Sequence, residues 1–141
     1  MTGENVKDTE VLLRPVGSND FSFIFSSWLK SFKGSDRVKH LKDSEYYAVQ
    51  KSIVKDLLET CDIIIACSPE DTDQVFGYIV YKDSVVHYIY VKFFFRLFGL
   101  AKILFNTALH SKEDVRVTHL TAAGNTIRNK YGFKYLPIEG I

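Results

Sequence analysis

Residues 96–102 read RLFGLAK, an order of side-chain types that suits an anion. Arg96 and Lys102 bring positive charge, while Gly99 and Ala101 leave room for a ligand to approach the main chain closely. From Gly99 onward Leu100, Ile103, Leu104, Thr107 and Ala108 recur at intervals of three and four, which predicts a helix. The first N–H groups of a helix have no intrahelical acceptor, and the helix dipole favours negative charge there. A strand leading into that helix start makes a ready site, and a diphosphate is its natural occupant.

The other candidate constellations give less. His40, His110 and His119 share no ligand-like spacing, so they are expected to be solvated or packed, with no metal bound. Cys61 and Cys67 are spaced neither as a metal knuckle nor as a redox pair and read as reduced thiols. Gly-x-Gly-x-x-Gly and Gly-Lys-Ser/Thr loops are absent from the sequence, which argues against a dinucleotide or P-loop site. The acidic DSEYY and SPEDTD segments read as solvated loops, with a role in holding a cationic acceptor as the alternative.

These residues need a scaffold. The 141 residues fit one domain, 1–141, with residues 1–8 expected as a flexible tail. Eighteen Lys and Arg against 17 Asp and Glu leave a formal charge of +1, so no general field recruits nucleic acid or a membrane surface. The polar, acidic start MTGENVKDTE lacks the features of a signal peptide, and a cytoplasmic protein is expected. Val85 to Leu109 is long and oily enough to raise a membrane span. Lys92, Arg96 and Lys102 would each cost about 2.5–3.5 kcal/mol near a bilayer centre, which favours two elements of different period instead.

EVLLRP, Glu10 to Pro15, reads as a short strand. Phe21, Ile24, Phe25, Trp28, Leu29 and Phe32 follow the helical interval behind cap candidates Ser18, Asn19 and Asp20. After the polar loop KGSDRVKHLKDS, Tyr46, Val49, Ile53, Val54, Leu57 and Leu58 predict a second helix, capped by Asp43 or Ser44. CDIIIACS, QVFGYIVYK and VVHYIYVK read as three strands, the last two a hairpin. Phe93 to Phe98 is then a bend and Gly99 to Leu109 a helix, followed by VRVTHLTA as a strand, GNTIRNKYG as a short helix and FKYLP as a closing strand. The order describes a mixed α/β domain.

The segment V-KFFF-RLFGLA, Val91 to Ala101, resembles motif A of the GNAT acyl-coenzyme A N-acyltransferase superfamily. That motif is Gln or Arg, two residues, Gly, one residue, then Gly or Ala, set five residues after a valine that ends a strand. The element order and the Gly132-Phe133 pair before the closing strand are also similar to that superfamily. The resemblance implies a central mixed, mostly antiparallel sheet of about six strands, flanked by about four helices and splayed between the fourth and fifth strands. It implies direct transfer of an acetyl group from acetyl-coenzyme A to an amine acceptor, a small molecule or a peptide. Main-chain groups around Arg96, Leu97, Phe98, Gly99, Leu100, Ala101 and Lys102 would hold the coenzyme A diphosphate, and those of Ile89, Tyr90 and Val91 would pair with the pantetheine arm. The Val91 N–H would polarise the thioester carbonyl.

Catalytic groups follow from the same resemblance. His87 lies four residues before Val91, where a member of the superfamily carries a catalytic histidine, and is the candidate base; the alternative is a packed strand histidine. Strand alternation places His87, Ile89 and Val91 on one face and Tyr88 and Tyr90 on the other. Many members place an acid tyrosine four residues before the Gly of the Gly-Phe pair. Arg128 stands there instead, so Tyr131 is the substitute acid, ahead of Tyr135, or else an aromatic packing the helix onto the sheet. That departure motivates a second reading, a catalytically impaired coenzyme A-binding or regulatory protein. Among Phe93, Phe94, Phe95, Leu97 and Phe98, residues left exposed could form a homodimer or partner surface.

Overall fold

Burial on both sides of the middle strands sets the architecture. The computed structural model describes residues 10–111 and 113–138; the expected tail, residues 1–8, lies outside the described residues. Strand β2 (Asp62–Cys67) sends Ile63, Ile65 and Cys67 to one face and Ile64 and Ala66 to the other. Both faces of the sheet are therefore covered, each by a helical layer.

The sheet has six strands in sequence order: β1 (Leu12–Pro15), β2, β3 (Val75–Lys82), β4 (Val85–Val91), β5 (Arg116–Val117) and β6 (Lys134–Tyr135). β1 to β4 pair antiparallel; β5 joins β4, and β6 joins β5, in parallel. Helices α1 (Phe21–Phe32) and α2 (Asp43–Thr60) cover one face, where Ile24, Trp28, Phe32, Tyr46 and Val54 are fully or almost fully buried. Helices α3 (Leu100–Ala108) and α4 (Ala122–Tyr131) cover the other, with Leu104, Phe105, Ile127 and Phe133. The apolar spacing read in the sequence thus becomes two separate cores.

The helix starts differ in detail from the expected caps. Ser18–Asp20 forms a 3-10 turn, and the Asp20 carboxylate is used by the Arg14 guanidinium at 2.7 and 2.9 Å and by the Gly17 N–H at 2.7 Å. Lys42, not Asp43 or Ser44, is the N-cap of α2, and its N–H donates to the Glu45 carboxylate at 3.2 Å. Asp43 and Glu45 sit in the first turn, where the helix dipole favours them. α4 begins at Ala122, earlier than read, because the Thr121 hydroxyl accepts from the Gly124 N–H at 3.1 Å.

Two strands are shorter than the sequence suggests. VRVTHLTA supplies only Arg116–Val117 and FKYLP only Lys134–Tyr135. A strand persists only while a neighbour pairs with it, and β5 loses β4 after two residues. Cys61 and Cys67, at either end of β2, are free thiols, as expected. Among the described residues, no helix is long and apolar enough to cross a membrane.

Candidate active site

The site begins where the sheet comes apart. β4 pairs with β3 along its length but with β5 only at Val85 and Val86, opposite Arg116 and Val117. The last main-chain bond across that junction runs from the Thr118 N–H to the Val86 carbonyl, 3.1 Å. Beyond it β4 continues with one edge unpaired by β5. The Lys92 N–H donates to the Phe76 carbonyl at 2.8 Å, on the β3 side. Main-chain groups of successive strand residues point to opposite edges, so those of Val91 and Ile89 point into the gap. The Val91 carbonyl there accepts from Arg96 Nε at 3.0 Å.

Gly77 lets β4 come this close to β3. It pairs with Val91, and a Cβ on it would stand 2.5 Å from the Tyr90 carbonyl oxygen and 3.2 Å from Val91 Cα. Only glycine fits there. The sequence reading passed over Gly77, although an isolated glycine inside a β-branched and aromatic run is itself a signal of close backbone approach.

His87 is placed differently from expectation. The register shifts between Val80 and Tyr81: Val80 opposes Tyr88 and Tyr81 opposes Val86, which leaves His87 as the extra residue. The irregularity breaks strict alternation. Val86 packs with Ile89 and Val91 on the α3 face, while Tyr88 and Tyr90 pack on the α1 face. The His87 ring instead reaches toward β5, with Nδ1 2.9 Å from the Thr118 hydroxyl, and burial holds its pKa below the ordinary histidine value. Thr118 is also 3.0 Å from Nδ1 of His119. His119 is packed between Trp28, Phe32 and Tyr88, and burial, reinforced by the His87 charge, pushes its pKa down to about 3.

At the other end of β4 the expected bend is a 3-10 helix, Phe93–Phe98, to which Leu97 and Phe98 contribute main chain. Phe95 turns inward and stacks on Phe76 with ring centroids 3.9 Å apart; Phe93 and Phe94 stay exposed. The Arg96 guanidinium lies 5.7 Å from the Phe93 ring centroid, a cation–π distance. Gly99 then caps α3 with φ 73° and ψ 21°, the left-handed region. Its glycine is required by backbone conformation, because a Cβ would meet nothing within 4 Å. No side chain caps α3, so the N–H groups of Leu100, Ala101 and Lys102 lack intrahelical acceptors. The Leu100 side chain is buried, leaving only its main chain for a ligand.

One cavity of about 660 Å³ joins these features. Ile89, Tyr90, Val91, Arg96, Gly99, Ala101 and Lys102 line it, all of them expected, as does Tyr131 at the end of α4. His87 is not among the lining residues. Nor is Arg128, whose Nε and Nη2 donate to the Asn125 side-chain carbonyl at 3.1 and 2.9 Å. Tyr131 stacks on Phe133, so it both packs and faces the cavity. Ser31 in the last turn of α1, then Gly34 and Ser35, also line the cavity and lie outside the expected set. The Ser31 hydroxyl donates to the Ser27 carbonyl at 2.6 Å and lies 2.5 Å from the Tyr88 hydroxyl. Burial raises the Tyr88 pKa above the ordinary phenol value, so Tyr88 stays protonated.

No family model and no curated protein matches the chain. Solved structures do. A candidate acetyl transferase from Pyrococcus furiosus is 13% identical over 94% of this chain and 84% of its own, with a TM-score of 0.57. The apo form of YjaB from Escherichia coli is 16% identical over 70% of this chain, with a TM-score of 0.54; the chain covers 64% of YjaB. With a six-stranded mixed sheet splayed between β4 and β5, and a bare helix start beside the splay, the chain has the GNAT acetyltransferase fold.

Proposed function

We propose that this chain is a GNAT-superfamily N-acetyltransferase that moves an acetyl group from acetyl-coenzyme A to an amine. The observation that carries the proposal is the single cavity connecting the open main-chain edge of Ile89 to Val91 with the uncapped start of α3. An anionic diphosphate suits the free N–H groups of residues 100–102 and the flanking Arg96 and Lys102. A pantetheine arm, with its alternating amide donors and acceptors, suits a strand edge that has lost its partner. When bound, acetyl-coenzyme A supplies the activated acyl group.

The chain's own residues then orient and polarise. In this reading the Val91 N–H donates to the thioester carbonyl oxygen, where negative charge grows as the amine attacks. Arg96 holds the Val91 carbonyl, in the next peptide unit, and so anchors the residue that carries that N–H. The Tyr131 hydroxyl serves as acid for the departing thiolate. His87 is neutral at pH 7 and takes the ammonium proton through water, since its ring does not line the cavity.

Calorimetry with acetyl-coenzyme A tests the proposal: binding with one site per chain is expected, together with thiol release in the presence of an acceptable amine. Absence of binding by folded protein would overturn it. The position of His87 off the cavity favours a second reading, coenzyme A binding without turnover. That reading holds if the ligand binds and no amine in a broad panel is acetylated.

A further inference from the structure

We propose that Thr118 is a positioning residue for His87. Its hydroxyl accepts the His87 Nδ1–H and gives its own hydrogen to Nδ1 of His119, so the His87 Nε2 lone pair stays free for the proton of the amine. The inference rests on the acetyltransferase reading above, with His87 as its base.

The first observation is a count of hydrogens. Thr118, the residue after β5, is only 7% exposed, and its hydroxyl oxygen lies 2.9 Å from His87 Nδ1 and 3.0 Å from His119 Nδ1. A polar contact of that length needs a hydrogen between its two atoms. The hydroxyl brings one. Its third neighbour, the His87 carbonyl, stands at 3.5 Å, well outside the usual range of about 2.5–3.0 Å for O–H···O bonds. At least one of the two imidazoles must therefore carry its hydrogen on Nδ1, and the tautomers of the two rings are coupled through Thr118.

The second observation decides which ring that is. Nε2 of His119 is buried with no hydrogen-bond partner, and the Phe32 and Trp28 ring centroids lie 4.8 and 5.2 Å from its own. An N–H is attracted by aromatic electrons, whereas a lone pair gains nothing from them. His119 therefore keeps its hydrogen on Nε2 and offers Nδ1 to the Thr118 hydroxyl. The lone pairs of the Thr118 oxygen are left for His87, which must donate from Nδ1. The His87 ring is only half-buried, and its Nε2 is bare.

This direction suits a base. The Nδ1–H bond to Thr118 is the same in the neutral ring and in the cation, so when Nε2 takes the ammonium proton through water no hydrogen moves along the chain. In the opposite direction Nε2 would already hold a hydrogen, and the Thr118 hydroxyl would cover the one nitrogen still able to accept. The main chain holds the pair in register: the Thr118 N–H donates to the Val86 carbonyl, and the irregular pairing at Val80 and Tyr81 turns the next residue, His87, toward it.

The test reads the tautomers directly. Long-range proton–nitrogen NMR spectra of the folded protein at neutral pH, assigned by substituting each histidine in turn, separate protonated from bare ring nitrogens. We expect hydrogen on Nδ1 of His87 and on Nε2 of His119. Thr118→Val keeps the shape and removes the hydroxyl; it should move His87 toward the Nε2–H form and lower kcat about tenfold, with KM for acetyl-coenzyme A within about twofold. Thr118→Ser should restore both. Any other pair of tautomers in the parent would overturn this inference alone, and that spectrum decides it even where Thr118→Val does not fold. Parent-like turnover by Thr118→Val, or a Thr118→Ser that behaves as Thr118→Val does, would overturn it too. Failure of the folded parent to bind acetyl-coenzyme A would overturn the acetyltransferase reading, and the role of Thr118 with it.

Discussion

Replacing Gly77 by alanine should damage a site it does not line. The added Cβ would stand 2.5 Å from the Tyr90 carbonyl oxygen, whereas ordinary contacts begin at 3.4 Å, so about 0.9 Å must be found. The obstacle is main chain on both sides, and no side chain can swing away. β4 must move off β3 at the Tyr90–Val91 peptide, the edge that faces the cavity. Overpacking of this kind costs about 1–3 kcal/mol of stability, and a displacement near 1 Å at a reacting centre can cost about a hundredfold in rate. Urea unfolding should therefore show the stability loss, and kcat/KM for acetyl transfer should fall by about two orders of magnitude. Gly17→Ala is the control, because its Cβ would meet only the Asp20 carboxylate at 3.6 Å, an ordinary contact. If Gly77→Ala binds acetyl-coenzyme A and turns over within twofold of the parent, β4 is not held by that contact and the reasoning fails.

Further predictions follow from other parts of the molecule. Gly99→Glu should weaken acetyl-coenzyme A at least about tenfold by placing a carboxylate at an anion site, while Gly99→Ala should cost about 1 kcal/mol for the left-handed φ of 73° yet bind within about threefold; equal affinities in calorimetry would refute the diphosphate site. His119 has a folded pKa of about 3 against an ordinary 6.5, so between those values the unfolded chain binds more protons and stability falls on acidification. The loss from this group between pH 7 and pH 4.5 is on the order of 2–3 kcal/mol, and unfolding of His119→Gln should lack it; identical pH dependence of the two would refute the assignment. His87→Ala should remove the acidic limb of the kcat/KM profile, which in the parent lies below pH 6.5 because burial lowers that pKa, and an unchanged limb would exclude His87 as the base. Asp20→Asn should cost about 2–3 kcal/mol by leaving the Arg14 guanidinium short of its bidentate partner. Asp20 has its pKa lowered, chiefly by the Arg14 hydrogen bond, so that stabilisation is present above pH 3.8 and is lost as pH falls through the lower folded value; the gap between parent and variant, read by urea unfolding, should close there, and a gap that persists would refute the pairing.

What could be read from the sequence was whatever depends on neighbours along the chain. Local signals, apolar spacing for helices and β-branched or aromatic runs for strands, marked the α-helices and strands in their observed order, while the 3-10 helices at Ser18–Asp20 and Phe93–Phe98 were read as a cap region and a bend. The helix start after Gly99, with Arg96 and Lys102 beside it, was legible because an uncapped first turn is a local property. Tertiary structure decided the rest. The lengths of β5 and β6 depend on whether a partner strand is present, and no residue within them records that. His87 shared a face with Val91 only under perfect alternation; one irregular pairing with β3 turned it toward Thr118 and out of the cavity. Ser31 and Ser35, far from the junction in sequence, were invisible as site residues because a cavity is a meeting of surfaces from α1, β4, α3 and α4. Local spacing determined which elements form and where a helix starts without a side-chain cap. The divergence of β4 from β5 determined what else faces that start, because the ladder between them ends at Val86 and Val117 and leaves the rest of that β4 edge open.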